Sequence, residues 1–333
     1  MQKITPLLQA WEEWEGISAA AAPMSSSNND DFINPTLSMA LDNCVNDPSD
    51  ETEAAVKALW TNSKNDNQPL PKGVYATQLL DSSGIQLIRK LLDSATSSGI
   101  PTRRPNGMNR HGVIIDSEVY GAVSVKPLVK LVEEELINRV ARPVGRMLFP
   151  DRIGCDDDIE YFAFTIRYDG SDDDADAGGN DNESSQQHDT ELREHRDASV
   201  VTLNINLNLP NPNESDYSGS EVFFREYPSE ETKVVSKDND EHDTLVPGDD
   251  VSDNGGTVRF SPGMAIIHLG AHRHGARPIS ASAGKSGSGR RYNLVIWLFG
   301  KDGDVRIAPY VKEEQMNVVE RWRGCNATED LFL

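Results

Sequence analysis

In Glu194-His-Arg-Asp-Ala-Ser-Val-Val-Thr-Leu-Asn-Ile-Asn-Leu-Asn-Leu209, apolar and polar residues alternate from Val201 onward. Val201, Leu203, Ile205, Leu207 and Leu209 fall on one side of an extended chain, and Thr202, Asn204, Asn206 and Asn208 on the other. A period of two marks a strand with one face in a core. At its head, His195 and Asp197 are two residues apart, which places an imidazole and a carboxylate on the same side of the backbone. These are two of the three side chains of a 2-His-1-carboxylate metal centre. His-x-Asp alone is common by chance, so this reading requires a third ligand further along the chain.

The third ligand is expected in Pro262-Gly-Met-Ala-Ile-Ile-His-Leu-Gly-Ala-His-Arg-His-Gly-Ala-Arg-Pro278, which offers His268, His272 and His274. Arg290-Arg291-Tyr292 then opens another strand, and an arginine there can pair with a carboxylate through two parallel bonds. Phe162, Phe164, Ile166 and Tyr168 also alternate, Glu221–Glu226 is a short strand, and Met264, Ile266 and His268 share a face. Upstream, Asp81 suits the cap of a helix carrying Ile85, Ile88 and Leu92. Pro127 to Val140 predicts a second helix, with Leu128, Val132, Leu136 and Val140 in a stripe. The pattern predicts an α+β, mainly β protein: a double-stranded β-helix, or jelly roll, with N-terminal helices on its outside.

Composition narrows the setting. The net charge of −22 disfavours nucleic acid and anionic membrane as bulk partners. Three scattered cysteines, Cys44, Cys155 and Cys325, predict reduced thiols in a cytoplasmic or nuclear protein. No window has the apolar length of a membrane span. Residues 1–72, with polar runs at 24–31 and 62–68, read as a mostly disordered leader, with Glu51 to Trp60 able to form a short helix. The expected organisation is then a helical support region over 73–155, the jelly-roll core over 156–309 and a tail over 310–333. Acidic runs at 170–194 and 229–257 and a Gly/Ser run at 281–289 read as surface loops.

From about Arg104 to Gly300 the chain resembles the prolyl/lysyl-hydroxylase-like 2-oxoglutarate and Fe(II)-dependent dioxygenases. His-Arg-Asp-Ala-Ser-x-x-Thr-Leu-Asn-Ile-x-Leu-Asn looks like the metal-binding strand of lysyl hydroxylases. Arg-Pro-Asn-x-Met-Asn at 104–109 and His-Arg-His-Gly-Ala-Arg at 272–277 look closer still to a plant and algal nuclear-type subfamily. The resemblance implies His195, Asp197 and His274 as iron ligands, and Arg291 as the anchor of the far carboxylate of 2-oxoglutarate. It also implies Tyr168 and Asn204 as its hydrogen-bonding partners. The gap from His274 to Arg291 is longer than the family pattern, which leaves Arg290 open as the alternative anchor. His268 and His272 match non-ligand positions, and a histidine such as His268 on an apolar strand is more often a satisfied core residue than a ligand.

The implied activity is oxidative decarboxylation of 2-oxoglutarate by O2 to succinate and CO2, coupled to hydroxylation, or demethylation, at a substrate C–H. Ascorbate is the expected accessory reductant. The acidic runs near the site predict attraction of a basic peptide or protein substrate. The runners-up are a catalytically silent jelly-roll interaction module and a small-molecule dioxygenase.

Overall fold

The structure, a computed structural model, describes residues 32–61, 69–97, 112–115, 126–153, 161–169, 190–209, 217–225, 256–281 and 289–299. The alternating stretch forms β5 (Val201–Asn206) inside a six-stranded sheet. On one side of it lie β9 (Met264–Leu269) and then β1 (Val74–Gln78). On the other lie β12 (Arg290–Leu298), β3 (Tyr161–Asp169) and the short β2 (Ile114–Ile115). A four-stranded sheet has the order β4 (Leu192–His195), β10 (His274–Ala276), β7 (Val222–Phe224), β8 (Gly256–Val258). β6 (Tyr217–Gly219) and β11 (Ile279–Ala281) form a separate pair. Every strand pair among the described residues is antiparallel.

Register turns the alternation of β5 into two different faces. Leu203 stands opposite Ile296 on one neighbour and Ile267 on the other; Ile205 likewise faces Leu294 and Ala265. These rows join the largest core cluster, together with the helices. The opposite rows are Val295–Asn204–Ile266 and Trp297–Thr202–His268, and they face the smaller sheet. Between the sheets, Val74, Val222, Phe224 and Ile266 pack in one cluster, and Phe162, Phe164, Ala276 and Val295 in another. The layers are therefore helices, large sheet and small sheet, with the polar face of β5 turned inward.

The helical layer comprises α1 (Pro35–Asn46), α2 (Asp50–Thr61), α3 (Ser82–Ser97) and a continuous run over 126–148. That run is α4 (Lys126–Lys130), a π-helical segment (Leu131–Ala141) and α5 (Arg142–Leu148). Pro143 lacks an N–H, so the usual ladder cannot continue through it, and the Arg142 N–H reaches back to Ile137 O. Asp81 caps α3, accepting from the Gly84 N–H at 2.8 Å. Ile85, Ile88, Leu92, Val132, Leu136 and Val140 all enter the cluster beneath β5.

Three expectations change. The leader is ordered over 32–61: Asn34 caps α1 from its side chain, and Leu37, Leu41, Val56 and Trp60 are buried in the main core. The apolar pattern of α1 is short and lies between polar runs, so composition hid that helix, whereas α2 falls on the short helix expected over Glu51–Trp60. Second, the region 73–155 is not purely helical, because β1 pairs along its whole length with β9. Third, Glu194–Leu209 is not one strand. His195 ends β4 in the small sheet, and 196–200 carries the chain across to β5 in the large one. The expectations for 1–31, 62–68, 170–189, 226–255, 282–288 and 300–333 lie outside the described residues, as do Cys155 and Cys325; Cys44 is buried on α1.

Candidate metal centre

Strand pairing brings His195 and His274 together. They are direct cross-strand partners on β4 and β10, with ring centroids 4.4 Å apart. The pairing is irregular, since Ala276 pairs with Leu192, so β4 carries one extra residue between the two pairs. This bulge turns both Leu192 and His195 inward, although they are three residues apart. Gly275 permits the close packing: a Cβ there would lie 2.5 Å from the Phe223 ring and 2.7 Å from Leu192 O.

Asp197 completes the cluster. His195 Nε2 lies 3.3 Å from its Oδ1, and His274 Nε2 lies 3.7 Å from its Oδ2. One ligand atom from each of the three falls within 4.8 Å of the others. Each histidine has Nδ1 against a backbone carbonyl, Arg193 O at 2.8 Å and His272 O at 2.9 Å. Both Nδ1 atoms thus act as donors, leaving the Nε2 lone pairs to converge. Two imidazole nitrogens and one carboxylate oxygen on one side of a point is a donor set suited to Fe(II).

Asp197 is 5% exposed, yet it is ionised. Burial alone would raise its pKa, but the charge of His274 and the hydrogen bond and charge of His195 hold it well below the usual carboxylate range. His195 is pushed above its ordinary value: burial opposes this, but the Asp197 hydrogen bond and charge prevail. Burial holds His274 well below its ordinary value.

Three supports were not foreseen as such. Thr202 Oγ1 donates to Asp197 Oδ2 at 2.5 Å and meets Ser199 Oγ at 2.7 Å. Gly270 O accepts the Asp197 N–H at 2.9 Å, and a Cβ on Gly270 would stand 2.0 Å from Ser199 O. Phe224 packs against His268, His272 and His274 with centroids 5.0–5.6 Å away. Alternation had already put Thr202 on the inward face of β5; only the crossing at 196–200 brings Asp197 to it. His268 is buried beside His274 (4.5 Å between centroids) with Nδ1 on Leu269 O, and it stands outside the three-ligand group. His272 directs Nε2 to Arg225 O, and burial lowers its pKa to about 4.

Arg291 sits at the far end of β5 from Asp197. Only one of two adjacent strand residues can face inward, and it is Arg291, 1% exposed, rather than the half-exposed Arg290. Its guanidinium lies 4.5 Å from the Tyr168 ring, its cross-strand partner, and donates from Nη1 to Ser220 O. It has no carboxylate partner and no partner for Nε among the described residues. Asn204 Oδ1 and Asn293 Oδ1, on inward faces of neighbouring strands, also lack hydrogen bonds among these residues. A buried cation beside unpaired amides is costly unless an anion occupies the space. Tyr168 and Asn204 thus face the same interior as Arg291, and the interior suits a dicarboxylate held between Arg291 and the cluster.

Sequence comparison points the same way. The chain is similar to 2-oxoglutarate and iron-dependent oxygenase domain-containing proteins. It is 32% identical over 194 residues to the one named ICU11 of Arabidopsis thaliana, covering 58% of this chain and 36% of that protein. It is 25% identical over 231 residues to number 2 of Xenopus tropicalis, covering 68% and 49%. The chain thus spans between a third and a half of the length of these relatives. No family model matches. Among solved structures, a Pseudomonas putida prolyl-4-hydroxylase aligns over 82% of this chain and 99% of its own, at 11% identity and TM-score 0.36. Among the described residues, no helix is long and apolar enough to cross a membrane.

Proposed function

We propose that this chain is a 2-oxoglutarate- and Fe(II)-dependent oxygenase built on a jelly-roll core. On this reading it hydroxylates, or oxidatively demethylates, a C–H of a protein or peptide, with release of succinate and CO2. The carrying observation is the convergence of His195, Asp197 and His274, with a buried Arg291 that has no carboxylate partner among the described residues at the opposite end of β5. The names of the relatives support it.

His195, Asp197 and His274 hold the iron, and Arg291 pairs with the far carboxylate of 2-oxoglutarate. Bound there, iron would let O2, the oxidant, react with 2-oxoglutarate as the two-electron donor, one oxygen atom passing to succinate and the other to the substrate C–H. The protein's own residues contribute position and environment. Thr202 fixes one oxygen of Asp197, so the carboxylate presents the other without rotating. The backbone carbonyls of Arg193 and His272 lock the imidazole tautomers. Arg291 and Asn204 orient the co-substrate before the reaction, which lowers its entropic cost. The apolar walls formed by Phe162, Phe164, Phe224 and Ile266 exclude water from the interior. The helices at 35–46, 50–61, 82–97 and 126–148 serve as the support, the enzyme works in the cytoplasm or nucleus, and ascorbate maintains the reduced metal.

The test is to incubate the full chain in air-saturated buffer, which supplies O2, with Fe(II), 2-oxoglutarate, ascorbate and a library of lysine- and proline-containing peptides. Succinate is expected to form with a matching one-oxygen gain, or loss of a methyl group, on a subset of peptides. Succinate release unaltered by any peptide would refute a protein substrate.

A further inference from the structure

We propose that Asn293 is a further co-substrate-binding residue, whose side-chain amide shares the far carboxylate of the dicarboxylate with Arg291. The inference rests on the oxygenase reading above and adds to it a residue that neither spacing nor resemblance singled out.

Four asparagines line the end of β5 and the start of β12, and the structure divides them into two kinds. Asn206 is satisfied by backbone: its Nδ2 donates to Phe260 O at 2.5 Å and its Oδ1 accepts the Asn208 N–H at 2.8 Å. Asn208 likewise donates to Arg290 O and accepts the Tyr292 N–H at 2.7 Å. These two hold strand ends together. Asn293 is the direct cross-strand partner of Asn206 and is 1% exposed, yet its Oδ1 is buried without a hydrogen bond among the described residues. The Oδ1 of Asn204 is in the same condition. A buried amide with no partner costs free energy unless something else enters to bond it.

Register places Asn293 beside Arg291. Along β12, Arg291, Asn293, Val295 and Trp297 share the inward face, and their β3 partners are Tyr168, Ile166, Phe164 and Phe162. The Trp297 row contains Thr202, which holds Asp197, so the metal ligands lie toward that end. Going from Arg291 toward the metal ligands, Asn293 comes first and Asn204, opposite Val295, comes next. Successive residues on one face of a strand are about 7 Å apart, close enough for a guanidinium and an amide to grip one carboxylate between them. Ile166 and Val295 flank the position with apolar side chains and offer it no hydrogen bond.

The bonding of Arg291 shows what remains for Asn293 to supply. Nη1 donates to Ser220 O, and Nε has no partner among the described residues. The open edge of the guanidinium is therefore its Nε side, which can meet a carboxylate in two parallel bonds. A carboxylate has about four lone-pair sites, so such a pair leaves some unfilled. A half-turn of the Asn293 amide exchanges Oδ1 and Nδ2 and turns a donor toward the anion. An apolar residue here would leave the buried carboxylate short of a donor.

The experiment is an anaerobic titration of the full chain, loaded with Fe(II), followed by the visible charge-transfer band. One arm uses 2-oxoglutarate; the other uses 2-oxobutyrate, which keeps the keto-acid end and lacks the far carboxylate. N293L, which keeps the size and removes both polar atoms, is expected to need about tenfold more 2-oxoglutarate, the scale of one hydrogen bond to a charged group. Its 2-oxobutyrate titration is expected to match the wild type within about twofold, since no bond to the missing carboxylate is lost. Co(II) affinity is expected to be unchanged. The melting temperature without co-substrate is not expected to fall, because no hydrogen-bonded partner is stranded. N293A carries the same expectation for both acids if leucine does not fit. Wild-type affinity for 2-oxoglutarate in a folded N293L or N293A, as an interior water on Asn293 would give, or an equal loss for both acids, would overturn the proposal. A wild type with no band for either acid fails the oxygenase reading and this proposal with it; a wild-type band that N293L and N293A leave unmoved fails the proposal alone.

Discussion

Replacing Thr202 with valine removes one hydroxyl and conserves shape, so its effect isolates the contact with Asp197. Thr202 is buried, and its Oγ1 donates to Asp197 Oδ2 at 2.5 Å. A hydrogen bond to a charged group contributes about 1.5–3 kcal/mol net, and losing it also strands Ser199 Oγ, 2.7 Å from the lost atom. For the metal, the loss frees the carboxylate to rotate away from the two Nε2 atoms. Removing such a supporting partner costs about 10–100-fold in metal affinity. The assay is competition for Co(II) against a chromogenic chelator, with urea unfolding of the metal-free protein beside it. Thr202→Val is expected to weaken Co(II) within that range, while Thr202→Ser, which keeps the hydroxyl, restores most of it. A valine variant of normal stability that binds Co(II) within about twofold of wild type would refute the assigned role, since that lies well below the expected effect.

Other consequences are equally specific. Gly270→Ala places a Cβ 2.0 Å from Ser199 O and pries apart the crossing that carries Asp197; we expect a loss of at least about 2 kcal/mol in urea unfolding, together with weaker metal binding. Trp60→Ala removes a fully buried indole from the main core and is expected to cost about 3–5 kcal/mol by the same method; a neutral result would mean that α2 is not part of the folded unit. His195 holds its proton above its ordinary pKa, and the metal must displace it. Metal affinity therefore rises with pH, by about tenfold per unit below the His195 pKa, and levels off above it. Isothermal titration in buffers of different ionisation enthalpy would count the released proton, and a pH-independent affinity would contradict the assignment.

Much of this was legible in the alternation itself. Val201–Leu207 named the buried face of β5, and the same period chose the residues that share the inward face with Thr202 and Asn204. The three ligand positions follow from spacing and from the resemblance, because side-chain type carries the chemistry of a metal site. What spacing could not show is long-range register. The bulge that aims His195 inward exists only in the pairing of β4 with β10, 79 residues apart at His195 and His274. The helix at 35–46 was missed for a different reason, and the one at 50–61 was expected only as a short helix in a disordered leader. Their apolar residues are few and set among polar ones, and the energy that orders them comes from packing on the sheet rather than from local propensity.

The most direct test of the central claim is an anaerobic titration of the full chain with Fe(II) and 2-oxoglutarate, following the visible metal-to-ligand charge-transfer band. The account predicts a band in the wild type, none in Asp197→Ala, and in Arg291→Ala a band that needs about 100-fold more 2-oxoglutarate, the scale of losing a buried bidentate ion pair. A folded wild-type protein that shows no band, or an Arg291→Ala variant that titrates like the wild type, would contradict it.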